Sequence, residues 1–185
     1  MTDKVIAKNS LNNLMKFNKE TRQLTRESLE TALLNLLNQK SIAQISISEL
    51  VSKAGVSRNA FYRNFSSKEE ILESYLSGVL RRIFKGIKSF DLNTQASQAW
   101  LYLFTEAKKE ETLFKAIFKQ HMQQLLTQMV TKRLKAYQRW KKAKQSHYSR
   151  LFWSNAIVSV LSTWIKDGMK TPAEEMAKMG LPLLP

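Results

Sequence analysis

The chain contains no cysteine in its 185 residues. That removes disulfides, thiolate nucleophiles and the commoner zinc sites together, and it fits a reducing cytosol without fixing the compartment. There are only five glycines and three prolines, and neither residue occurs between Gly86 and Gly168, so that interval has nothing to interrupt helix. No apolar/polar alternation of strand length, internal repeat or low-complexity tract is present. No run of about 18 apolar residues exists, which argues against membrane insertion. Near the start, Leu11, Leu14, Met15 and Phe17 are interrupted by asparagine and lysine, unlike the apolar core of a signal peptide. His121 and His147 have no carboxylate cluster between them. No nucleophile-base-acid set, glycine-rich phosphate loop or metal-ligand spacing appears. A soluble, cytoplasmic, all-α protein without catalytic residues, metal or cofactor is predicted.

Acidic residues are also scarce: 15 Asp and Glu face 30 Lys and Arg, for a formal net charge of +15. Such an excess suits a polyanionic partner, because neutralised phosphates release counterions. Its distribution is uneven. Residues 1–70 hold 11 basic against 7 acidic side chains, and residues 71–185 hold 19 against 8. The densest stretch, Lys132 to Arg150, has no acidic residue at all. It reads either as a solvated helix end and linker or as an anion-facing surface. Lys16, Lys19, Arg22 and Arg26 near the N-terminus read equally as a solubilising tail or as an arm along phosphates.

What the chain does have is a compact signal between Ser46 and Phe65, SISELVSKAGVSRNAFYRNF. Ser46 followed by Glu49 is a capping box, and Ile47, Leu50, Val51 and Ala54 then trace one apolar stripe. Gly55 ends that helix in the left-handed conformation, Val56 plugs the corner, and Ser57 caps a second helix from about Arg58 to Asn64. Phe61 and Phe65 face inward. Arg58, Asn59, Tyr62 and Arg63 are left outside, with donors suited to guanine, adenine and phosphate. The same residues also describe a helical hairpin with a polar solvent face.

The order AGVSxxxFYxxF-SKE from Ala54 to Glu69, preceded by a helix carrying Leu29, Leu33, Leu36 and Leu37, resembles the TetR/AcrR family of transcriptional regulators. The match runs from Thr25 to Leu76. It implies a DNA-binding helix-turn-helix within residues 23–70, after a flexible basic tail at 1–22, and an effector-binding and dimerisation region at 71–185. By position, Ser46 caps against phosphate, Tyr62 contacts the DNA backbone, and Lys68 meets phosphate at the start of the fourth helix. Ser48, Ser57, Arg58, Asn59, Ala60 and Arg63 fall at recognition or flanking positions. Two departures stand out. Asn59 replaces a residue that is often glycine, and Ala60 replaces a Thr or Ser that often contacts DNA, so a relative's operator cannot be transferred.

Beyond Phe65, a Ser66/Ser67 and Glu69/Glu70 cap opens a long stripe from Ile71 to Ile87, read as the helix linking the two regions. Further stripes run through Trp100 to Ala107, then through Leu113 to Leu134 as one helix of about six turns, then from Ser146 to Asp167. Thr171, Pro172 and Glu174 read as N-cap, N1 and N3 of a final helix. The tail from Trp164 to Met179 resembles the C-terminal region of one subgroup of the family. A sensor pocket is expected among Trp100, Phe104, Phe114, Phe118, Met122 and Trp153, each of which also reads as ordinary core. A homodimer face is expected at Phe152, Ile157, Val160, Leu161 and Trp164.

The reading is a ligand-responsive repressor, a homodimer on double-stranded operator DNA. The competing reading is an adaptor whose basic run, Lys132 to Arg150, holds a protein or membrane surface while DNA binding is secondary.

Overall fold

A computed structural model describes residues 2–142 and 146–181, with side chains from Asn13 onward. Among the described residues there are nine α-helices, one 3-10 turn and no strand, as the shortage of glycine and proline predicts. The helices form two compact units, Met1–Glu73 and Ser74–Pro185.

The first unit contains α1 (Thr2–Leu37), a 3-10 turn (Ile42–Gln44), α2 (Ile47–Ala54), α3 (Arg58–Asn64) and the start of α4 (Lys68–Ile87). Leu29, Ala32, Leu33, Leu36 and Leu37 of α1 are each at most 3% exposed. They share a core with Ile45, Leu50, Phe61, Phe65, Ile71 and Leu72. The flexible tail expected at 1–22 is instead helical from Thr2. Once the packed half of α1 exists, each added residue gains a hydrogen bond without a new nucleation cost, and nothing in Thr2–Leu37 is glycine or proline. The side chains of Lys4 and Lys8 lie outside the described residues, as does Lys144 of the basic run.

The second unit holds the rest of α4 with α5 (Ala96–Lys109), α6 (Glu111–Lys119), α7 (Gln123–Lys141), α8 (His147–Lys166) and α9 (Ala173–Lys178). α7 and α6 pack on α8, and α5 packs on α9. The single helix expected from Leu113 to Leu134 is broken between Lys119 and Gln123, where His121 takes a φ of 57°. Histidine enters the left-handed region more readily than most residues, and the Met122 N–H closes the turn onto the Ile117 carbonyl at 2.9 Å.

The aromatic core of this unit is cross-linked by its indoles. Trp100 stacks on Phe104 at 5.3 Å, and Phe104 meets Trp164 edge-on at 5.0 Å. Each indole N–H finds a carbonyl, Trp100 donating to Leu181 at 2.9 Å and Trp164 to Thr171 at 2.8 Å, so both rings are buried without an orphan donor. The second bond also shifts the last helix. Pro172, rather than Thr171, sits at the N-cap of α9, and its carbonyl starts the helix by accepting from Met176.

α4 is tied to α5 by charge. Arg82 bridges Glu106 and Glu110, Lys109 reaches Glu106, and the Tyr75 hydroxyl donates to Glu110 at 2.8 Å. Glu106 is buried, yet the hydrogen bond from Lys109, with help from Arg82, holds its carboxyl below the usual range. Gly86 of α4 lies directly under the Tyr102 phenol, so close that a Cβ would fall 2.1 Å from the phenol oxygen. Only glycine leaves that ring its place.

Candidate nucleic-acid interface

The helical hairpin is built as its sequence dictates. The Ser46 hydroxyl accepts from the Glu49 N–H at 3.1 Å and starts α2. The reciprocal half of the expected capping box gives way to an ion pair, the Glu49 carboxylate lying 2.6 Å from the Lys40 ammonium. Gly55 ends α2 at φ 66°, and the Val56 N–H returns to the Val51 carbonyl at 3.0 Å. The Ser57 hydroxyl then accepts from the Ala60 N–H at 3.1 Å and opens α3. Phe61 and Phe65 are 0% and 2% exposed, which fixes the rotation of α3 about its axis.

That rotation leaves Arg58, Asn59, Tyr62 and Arg63 at the surface, with Tyr62 60% exposed. Ala60 is half-buried. The Arg58 guanidinium donates to the hydroxyl of Ser48 on α2, so two of the residues expected to read DNA are already joined across the hairpin. Tyr62 stands edge-on to Phe61 at 5.0 Å, its ring supported by the core and its hydroxyl outside.

Two basic residues expected on phosphate have work inside the unit. The Lys68 ammonium donates to the Ile42 and Ile45 carbonyls at 2.6 and 2.5 Å, with Ala43 at 3.4 Å, pinning the 3-10 turn that delivers the chain into α2. Arg26 donates to the Asn64 carbonyl at 3.2 Å and lies 4.2 Å over the Phe65 ring, clasping α1 to the end of α3. Lys68→Met is expected to lower the stability of this unit by about 2 kcal/mol, since hydrogen bonds from a charged donor are lost. Faster hydrogen exchange at the Ile45–Val51 amides would show it. Unchanged exchange with weakened DNA binding would instead assign Lys68 to phosphate alone.

Sequence reasoning did not find the groove where α1 passes α3. Asn18, Thr21, Arg22 and Thr25 face Ala60, Arg63 and Asn64 across about 560 Å³ of open space. Arg22 is exposed there beside Arg63, on the same unit as the recognition helix. The signal was present in the absence of any helix breaker before Gly55.

In the second unit, the residues expected to line a pocket do not come together. Phe114 borders an apolar cavity of about 30 Å³ walled by α4 to α8, and Phe118 stacks on Phe114 at 6.4 Å. Trp100 and Phe104 belong to the stack with Trp164, Met122 caps α7, and Trp153 stands edge-on to Phe152. The cavity lies among the aliphatic faces instead, with Leu80, Ile87, Leu134 and Tyr137 in its wall.

Of the residues expected at a subunit interface, Ile157, Leu161 and Trp164 are buried in the unit's own core. Phe152 is 65% exposed and continues an outward face of α8 with Tyr148, Asn155 and Ser159, while Val160 is half-buried. The basic run resolves into the end of α7 and the start of α8. Lys132, Lys135, Arg139, Lys141 and Lys142 are exposed, Arg133 donates to Ser77, and Arg150 reaches Gln138. No helix among the described residues is long and apolar enough to cross a membrane, and no cluster there could hold a metal ion.

Solved structures with this fold include Lin0861 from Listeria innocua, 18% identical over 85% of this chain and 87% of that one, with a TM-score of 0.73. The fatty acid degradation regulator FadR from Bacillus halodurans is 15% identical, with 83% and 91% covered and a TM-score of 0.57. The dihydroxyacetone kinase operon activator DhaS is 17% identical, with 83% and 89% covered and a TM-score of 0.54. Among curated proteins no sequence match is found. Residues 30–75 match the family model described as bacterial regulatory proteins of the tetR family, and residues 97–184 match a transcriptional regulator C-terminal region of the same family. With both of its units matched, the chain belongs to the TetR family of transcriptional regulators.

Proposed function

We propose that the chain is a homodimeric repressor that binds a partly palindromic operator through α3 and is released by a small-molecule effector. The observation that carries this is the surface of α3. Its inward phenylalanines hold four donor-bearing side chains outward, and Ser48 of α2 is already bonded to Arg58. In a dimer, two such helices enter successive major grooves about 34 Å apart, or a small multiple of that distance. The exposed face of α8 around Tyr148 and Phe152 is the surface that meets a second copy. An effector in the second unit that prefers another separation of the reading heads lowers operator affinity, and by linkage the operator lowers effector affinity equally.

Tyr62→Phe and Asn59→Ala separate the two kinds of contact. Tyr62→Phe is expected to weaken binding by a similar factor on every sequence, as loss of a phosphate contact does. Asn59→Ala is expected to relax preference at particular base pairs, by about 1–3 kcal/mol each. Affinities on a panel of single-base operator variants distinguish them. A changed base preference in Tyr62→Phe, or a uniform loss in Asn59→Ala, would contradict the assignments.

A further inference from the structure

We infer that the cavity between α4 and α8 takes an uncharged, mainly apolar small molecule whose one hydrogen-bonding group meets the Tyr137 hydroxyl. The inference rests on the proposal that an effector acts on the second unit, and it names the chemistry of that effector.

Three observations carry it. First, the wall is aliphatic and aromatic throughout; Leu80, Phe114, Leu134 and Leu161 are typical, and no ionisable group other than the Tyr137 phenol lines it. A charged ligand would leave water there without a counter-charge, which costs far more than one hydrogen bond returns. Second, Tyr137 is only 5% exposed, and its hydroxyl is buried with no hydrogen-bond partner among the described residues. A buried polar group without a partner is uncommon in a folded core and destabilises it. Here it offers a ligand one donor and one acceptor at a fixed point in an otherwise apolar wall.

Third, the cavity is small. Its volume of about 30 Å³ is well below the roughly 150 Å³ of an apolar cavity known to admit benzene. A ligand of more than a few heavy atoms therefore cannot enter without moving side chains of the helices that wall the cavity. Leu80, Ile83 and Ile87 of α4 are among them. Binding and displacement of α4 within the second unit become one event. That is what an effector requires, since it must prefer one arrangement of the protein over another. The same core is held closed by the Arg82 bridge from α4 to Glu106 and Glu110, so that displacement works against a defined restraint.

The test uses the full-length protein with octanol and octanoate as probes, by titration calorimetry and by operator competition. Octanol is expected to bind, with octanoate at least tenfold weaker. Tyr137→Phe removes only the oxygen and keeps the ring. It is expected to leave thermal stability equal or higher and to weaken octanol about fivefold, the size of one neutral hydrogen bond. Absence of octanol binding, octanoate binding as tightly as octanol, or octanol binding that ignores Tyr137→Phe would each overturn the inference. Octanol that binds as expected and leaves operator affinity unchanged supports the site while sinking the effector proposal. Operator release by an anionic compound that does not compete with octanol supports an effector but overturns this cavity as its site.

Discussion

Phe61→Ala is expected to unfold the first unit while leaving the second folded. Phe61 is 0% exposed and sits where α3 meets the core formed by α1 and α2, alongside Leu50 and Phe65. Truncating a fully buried phenylalanine costs about 3–5 kcal/mol through lost transfer energy and the cavity left behind. A unit of Met1–Glu73 is small, and domains of about that size bury a modest fraction of their surface, so the loss rivals their whole stability. Amide exchange protection in α1 to α3 should fall to near that of an unfolded chain. All four tryptophans lie in the second unit, so their fluorescence should still report a cooperative transition near that of the parent protein. DNA binding should be lost on every sequence. Retained protection in α3 would show that the hairpin is not organised by its inward phenylalanines. Phe61→Leu is the companion variant, expected to cost less than about 1.5 kcal/mol because it keeps most of the buried volume.

Phe152→Asp is expected to turn a dimer into a monomer and to lower operator affinity by about a hundredfold or more. The side chain is 65% exposed and next to Tyr148, 80% exposed, on the outward face of α8. Little inside the subunit depends on it, whereas a carboxylate in the middle of an apolar interface is uncompensated. Joining two reading heads makes the second contact intramolecular, which multiplies affinity by about 10²–10⁴ without any new contact. Sedimentation and gel-shift titration on a full operator and on a half-site check this. A variant that remains dimeric, or a monomer that holds the full operator unchanged, would move the interface elsewhere.

The hairpin was legible because each of its signals is local. Ser46, Gly55 and Ser57 act on N–H groups three residues away or through their own φ, and Phe61 and Phe65 need only helical spacing to share a face. The long helices were legible for the same reason. What the sequence concealed depends on contacts between distant residues. Lys68 read as a phosphate ligand because its charge is local information, whereas its bonds to Ile42 and Ile45 appear only when α4 returns beside the 3-10 turn. Trp100 and Phe104 read as pocket because they are large and aromatic, yet a carbonyl at Leu181 and the face of Trp164 make them core. The break at His121 carried no glycine or proline to announce it. The helical extension of α1 was hidden by its polarity, since exposed asparagine and lysine suit a solvated helix as well as they suit a tail.

The central claim is that α3 reads DNA sequence as half of a symmetric pair. Selection of bound sequences from random double-stranded DNA, at two salt concentrations, tests it most directly. The account predicts an enriched, partly palindromic site with half-sites about one helical turn apart or a small multiple of it. That preference should persist at the higher salt while overall affinity falls. Recovery of unselected sequences, bound equally and released together by salt, would contradict it.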